Sequence, residues 1–90
     1  MTERLSDLFP NTKHKLTTDK QLYRVLDELA EAEHELVVGD REKFLFEMLD
    51  TMTAAAGVLY KSNFNYSEAE ISAGIAYVKA KNEARGYYSK

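Results

Sequence analysis

Apolar residues recur along this chain at helical spacing, and no segment alternates with the period of a strand. Leu22, Val25, Leu26, Leu29 and Leu36 mark a first long helix that starts at Thr18, where Thr18 and Gln21 have the spacing of a capping box. Gly39 stops it, as a glycine just past a helix end commonly does. Asp40 is a good N-cap for a second helix running to about Tyr60. "KSNFNYS" reads as a loop. Ser67 and Glu70 form a second capping box, opening a third helix that ends near Arg85, before Gly86. Ahead of these, "ERLSDLF" makes a short helical turn closed by Pro10 and Asn11. The pattern predicts an all-α protein: an N-terminal arm over 1–17 and a domain of three long helices over 18–90.

The second helix differs from the other two. Its main stripe is Phe44, Leu45, Met48, Met52, Ala55, Ala56 and Leu59, and Phe46, Leu49, Ala54, Gly57 and Val58 spread small or apolar residues over the remaining faces. A helix apolar nearly all round is buried nearly all round. Two neighbours in one chain do not cover that many faces, and Phe46, Leu49 and Val58 would otherwise form an exposed apolar patch. A chain of 90 residues also buries only roughly 60–65% of its unfolded surface. Both considerations predict a homo-oligomer, a dimer at least, with a four-helix core formed by dimerisation.

Composition narrows the function classes. The formal charge of −3 offers no clustered basic surface for a nucleic-acid backbone, so no nucleic acid is expected as partner. The absence of cysteine removes a thiol nucleophile, disulfides and thiolate ligands, and suits a reducing cytoplasm. "MTERLSDLFP" has no apolar core of a signal peptide, and the apolar run "MTAAAGVLY" is too short to span a bilayer, so no membrane association is expected.

The chemistry is carried by carboxylates. Glu28 and Glu31 lie three apart on the first helix, beside its apolar stripe with Val25 and Ala32 between them. Read alone, a glutamate there is more often a solvated flank residue than part of a site. Glu47 and Asp50 repeat the spacing on the second helix, on the side of Ala54, Gly57 and Val58. Buried carboxylates need a paired charge or a metal. Lys43, four residues before Glu47, is one available partner, and none sits one turn from Asp50. In an antiparallel hairpin about Gly39, Glu31 reaches the level of Glu47 and Glu28 that of Asp50. Four converging carboxylates repel unless a cation lies among them, and oxygen-only ligands select Mg²⁺ or Mn²⁺.

Glu28-x-x-Glu31 followed by Glu47-x-x-Asp50 resembles the metal-binding signature of the MazG-like all-α nucleoside triphosphate pyrophosphohydrolases, over about residues 20–87. Asp27 stands where that signature more usually has Glu. "YVKAKNEARGYY" is similar to the C-terminal segment of small phage and bacterial members. The resemblance implies Mg²⁺-dependent cleavage of a nucleoside triphosphate between the α and β phosphates, giving a monophosphate and pyrophosphate. It implies a metal held by Glu28, Glu31, Glu47 and Asp50, one of the glutamates taking the water's proton, and an obligate oligomer. The third-helix stripe of Ile71, Ile75 and Val78 continues through Asn82 to Arg85. Lys79, Asn82 and Arg85 then either hold phosphate or sugar oxygens or form an ordinary helix end, where Arg85 offsets the macrodipole.

Other signals are bland. His14 and His34 read as surface residues, and no P-loop run is present. "TAAAG" allows close helix packing or leaves room for a base or a second subunit. The tyrosines at 60, 66, 77, 87 and 88 cap core edges or stack on a base. The rival to an enzyme is a non-catalytic helical interaction module with an idle site of this type.

Overall fold

Local signals in the sequence account for where the helices begin and end. The computed structural model describes residues 4–11 and 16–88. It has four helices: α1 (Leu5–Leu8), α2 (Thr18–Val38), α3 (Arg41–Lys61) and α4 (Glu68–Ala84), with no strand among the described residues. His14 and parts of the arm and tail lie outside the described residues. Gly39 takes the left-handed conformation, φ +80°, that closes α2 and turns the chain into α3. Asp40 Oδ1 accepts from the Lys43 backbone N–H at 3.0 Å. Ser67 and Glu70 complete a reciprocal capping box at α4, and Gly86 follows with φ +70°.

One cap differs from expectation. The N-cap of α2 is Thr17, whose Oγ1 accepts from the Lys20 N–H at 3.3 Å. Thr18 Oγ1 instead accepts from the Asn63 N–H, tying the start of α2 to the loop after α3. Gln21, freed from capping, turns into the α2–α3 seam.

α2 and α3 pack as an antiparallel hairpin, the main helix–helix contact in the chain. The face that α2 turns to α3 is the principal correction to the sequence reading. Leu22, Leu26, Leu29 and Leu36 do not form the buried stripe: Leu26 is 57% and Leu36 63% exposed. The neighbouring strip faces α3 instead, with Gln21 and Ala32 buried and Arg24, Val25, Glu28 and Glu35 half-buried. On α3 the buried residues are Thr51, Ala54, Ala56 and Gly57, while Leu45, Phe46, Leu49, Met52 and Leu59 stay exposed. Small residues at the seam let the helices approach closely, and the large apolar side chains are left outside it. The only fully buried apolar residues among those described are Ala32, Ala54 and Ala56. Among the described residues no large apolar side chain is fully buried, and the largest buried side chain is that of Gln21.

α4 stands apart from the hairpin and packs chiefly on α1. Arg4 and Ser6 both donate to the Glu68 carboxylate, Arg4 Nε at 3.0 Å and Ser6 Oγ at 2.7 Å. Tyr60 donates to the Phe9 carbonyl at 2.7 Å, fixing the arm to the end of α3. The body measures 39 × 39 × 20 Å. Its short axis is about two helix diameters, too thin to enclose the exposed leucines. No helix among the described residues is long and apolar enough to cross a membrane.

Candidate metal centre

The i,i+3 spacing on each helix, joined by the tight turn at Gly39, brings the carboxylates to one stretch of the seam. Carboxylate oxygens of Glu28, Glu47 and Asp50 lie within 4.8 Å of one another. Glu28 and Glu47 are half-buried between the helices, and Asp50 is exposed at the groove edge. Glu31, exposed on α2, falls outside this tight group but presses its charge on both Glu28 and Glu47. Thr51, the next residue after Asp50, turns its hydroxyl inward to the Glu47 carbonyl at 2.8 Å.

The electrostatics follow from this crowding. Burial pushes the Glu28 carboxyl above its ordinary range, the charges of Glu31 and Asp50 add to the rise, and Arg24 opposes it. Glu47 is also raised, first by burial, then because its protonated form can donate to Glu31, and by the charges of Glu31, Glu28 and Asp50. Glu47 Oε2 is sealed from solvent and has no hydrogen-bond partner. Among the described residues no lysine or arginine forms an ion pair with Glu47, and the Lys43–Glu47 pairing is not made. A buried carboxylate oxygen with neither donor nor cation is an expensive arrangement for a chain to keep. An oxygen-only donor set of this kind fits a hard divalent cation.

The third-helix residues are not gathered here within one chain. Lys79 sits at the rim of an apolar groove of about 460 Å³ whose walls include Leu5, Leu59, Ile71, Ile75 and Val78. Asn82 Nδ2 lies 3.4 Å from the Tyr88 hydroxyl, and Arg85 stands over the Tyr87 ring at 5.9 Å. Neither Lys79 nor Arg85 is among the charges acting on Glu28 or Glu47. His34 is exposed.

Three polar residues at the seam are not assigned to the site from the sequence: Gln21, which reads as part of a cap, Arg24, and Lys61, which with Arg41 and Lys43 is an available cation on the second helix. The signal for two of them was present, since Arg24 and Gln21 lie four and seven residues before Glu28 and so on its face of the helix. No protein-family model, no curated protein and no solved structure matches this chain.

Proposed function

We propose that this chain is a Mg²⁺-dependent nucleoside triphosphate pyrophosphohydrolase of the MazG-like type, cleaving between the α and β phosphates. The observation that carries the reading is the orphaned, buried Glu47 oxygen, clustered with the Glu28 and Asp50 carboxylates. Glu28, Glu47 and Asp50 would hold the ion, with Glu31 as the fourth carboxylate; Mn²⁺ has the same ligand preference. A bound divalent cation supplies charge neutralisation for the phosphates and orients a water for in-line attack. The chain's own part is to keep the four acids at one level of a rigid helix pair and to take a proton from that water. One of the glutamates takes that proton. The water's oxygen bonds to phosphorus, the bridging P–O bond breaks, and pyrophosphate leaves. Lys79, Asn82 and Arg85 contribute to phosphate or sugar binding in this reading.

The second copy is part of the proposal. On α2 the exposed Leu22, Leu26, Leu29 and Leu36 each follow by one residue a position that faces α3. On α3, Leu45, Met52 and Leu59 do the same. In antiparallel helices an equal rotation of about 100° from the seam puts both sets on one side of the hairpin. That side is a continuous apolar layer, and a like layer on another copy covers it, completing a four-helix core. Glu31 and Asp50 are rotated the other way, so pairing leaves the acidic groove open.

The deciding experiment is a screen of ordinary and modified nucleoside triphosphates for pyrophosphate release with Mg²⁺ and with EDTA. Mg²⁺-dependent release of pyrophosphate and a monophosphate is expected for at least one nucleotide. Cation binding without turnover on any nucleotide favours the idle-site interaction module. No cation binding at all overturns the metal assignment.

A further inference from the structure

Beyond the carboxylates, toward the open end of the hairpin, the seam holds a second polar cluster. Gln21 is 2% exposed; its Nε2 donates to the Ala54 carbonyl at 3.3 Å, and its Oε1 is sealed without a donor. Arg24 Nε is likewise buried without an acceptor. Lys61 donates to Asn11 Oδ1 at 2.7 Å. Burial, and secondly the Arg24 charge, hold the Lys61 amine below the ordinary lysine range. A Cβ on Gly57 would lie 2.7 Å from Gln21 Nε2 and 3.8 Å from Lys61 Nζ, so amide and ammonium flank the same bare stretch of α3.

The helical period fixes which way this cluster faces. At about 100° per residue, Arg24 is rotated about 40° from Glu28 toward the side of Glu31. Lys61 is rotated by the same angle from Glu47 toward the side of Asp50. Both cations therefore lean into the acidic groove and away from the leucine layer. Arg24 also acts on each neighbour in turn, pulling the Glu28 carboxyl down and the Lys61 amine down. It stands between acids and amine in one polarised channel. An Arg N–H without an acceptor, beside a second cation, calls for an anion.

We propose that Arg24 and Lys61 form a cradle for the terminal phosphates of the nucleotide, the part that departs as pyrophosphate, in the same groove as the carboxylates. Gly57 makes room for the Gln21 amide, whose Nε2 donates to the Ala54 carbonyl. The choice of anion rests on the pyrophosphohydrolase reading; the placement of the cations does not.

The test is calorimetric titration of the full chain with inorganic pyrophosphate in EDTA, with a nucleoside monophosphate in EDTA, and separately with Mn²⁺ alone. Wild-type protein is expected to bind metal-free pyrophosphate, more weakly as salt is raised. Arg24→Gln is expected to weaken pyrophosphate by roughly tenfold or more, the scale of a charge-assisted hydrogen bond. Its monophosphate and Mn²⁺ affinities stay near wild type. Arg24→Lys recovers part of the loss. Lys61→Gln carries the same expectation and keeps the test decisive if Arg24→Gln fails to fold by circular dichroism. The cradle is overturned if wild type does not bind metal-free pyrophosphate, if a folded variant binds it unchanged, or if the monophosphate suffers equally. Pyrophosphate binding lost with Arg24 in a chain that binds no Mn²⁺ keeps the cradle and removes the metal centre. Mn²⁺ binding with unchanged pyrophosphate affinity does the reverse.

Discussion

Glu68 and Glu47 are both glutamates near helix–helix contacts, and the chain treats them in opposite ways. Glu68 receives two donors from Arg4 and one from Ser6, and these hold its carboxyl at about 2, far below the usual carboxylate range. Glu47 receives no cation, keeps one oxygen sealed and unpartnered, and is pushed up by burial and three neighbouring acids. The first carboxylate has its counter-charge within the chain and serves to hold α1 on α4. The second lacks one, and its neighbours share the deficit. The chain supplies arginine and serine to a surface glutamate and supplies neither to Glu47, and the cation proposed above would make up that difference. The same contrast separates α4, held by polar contacts at its start, from the hairpin, held by small residues along its length.

The largest effect expected is at Asp50. Asp50→Asn should abolish Mn²⁺ binding and Mg²⁺-dependent turnover while helicity is kept, with a metal-free protein at least as stable as wild type because one repelling charge is gone. Calorimetry and thermal melts read both; unchanged cation affinity would break the comparison between the two regions. Next, Leu26→Glu should split the oligomer by putting a charge in the apolar layer. Sedimentation equilibrium at low micromolar concentration should show wild type at twice the 10.3 kDa chain mass or more, and the variant at the chain mass. A wild-type monomer means that the leucine face is not an interface.

The pH dependence of stability sharpens the contrast further. Glu28 and Glu47 have folded-state values raised above 4.5. In metal-free protein their ionisation is harder in the fold than in the unfolded chain, so stability falls as pH rises from about 4.5 through those raised values. Glu31, Asp50 and Arg24 are the charges facing them. Glu68, lowered to about 2, works in the opposite sense: its contribution is complete above about 4.5 and is lost as pH falls toward about 2. Urea midpoints in EDTA should therefore peak near the unfolded carboxylate range and decline on both sides, and saturating Mg²⁺ should remove the decline on the alkaline side. Arg4→Ala should have the smallest effect. Its side chain is more than half exposed, and exposed pairs contribute little. A small fall in melting temperature is expected, with a flatter acid limb and unaltered Mn²⁺ binding. A loss of Mn²⁺ affinity in that variant would mean that the clasp and the acidic groove are coupled.

Much of this was legible because it is local. Gly39, Asp40 and the Ser67–Glu70 box terminate and cap helices through hydrogen bonds within a few residues, and the sequence carries all of that information. The paired i,i+3 acids were legible for the same reason, since a helix period plus one tight turn sets their level. The direction of the leucines was not. Periodicity reports that Leu22, Leu26, Leu29 and Leu36 share a face, but not what covers it. The natural inference, that the chain covers it, failed. Ala32, Ala54 and Gly57 allow a closer approach than leucines do, so the hairpin closes on its small and polar strip. The Lys43–Glu47 pair is not made for a related reason: an i,i+4 spacing permits an ion pair, but Glu47 is half-buried at the seam while Lys43 is exposed.

By itself, then, the sequence determined the all-helical architecture, the helix ends and the set of acids that lie at one level, because each depends on backbone geometry and near neighbours. Only the tertiary structure decided which strip of each helix is inside, which glutamate oxygen is left without a partner, and that Gln21, Arg24 and Lys61 join the acids on one groove. Those outcomes depend on how closely two helices approach, and that distance is set by the smallest side chains between them rather than by the most hydrophobic ones.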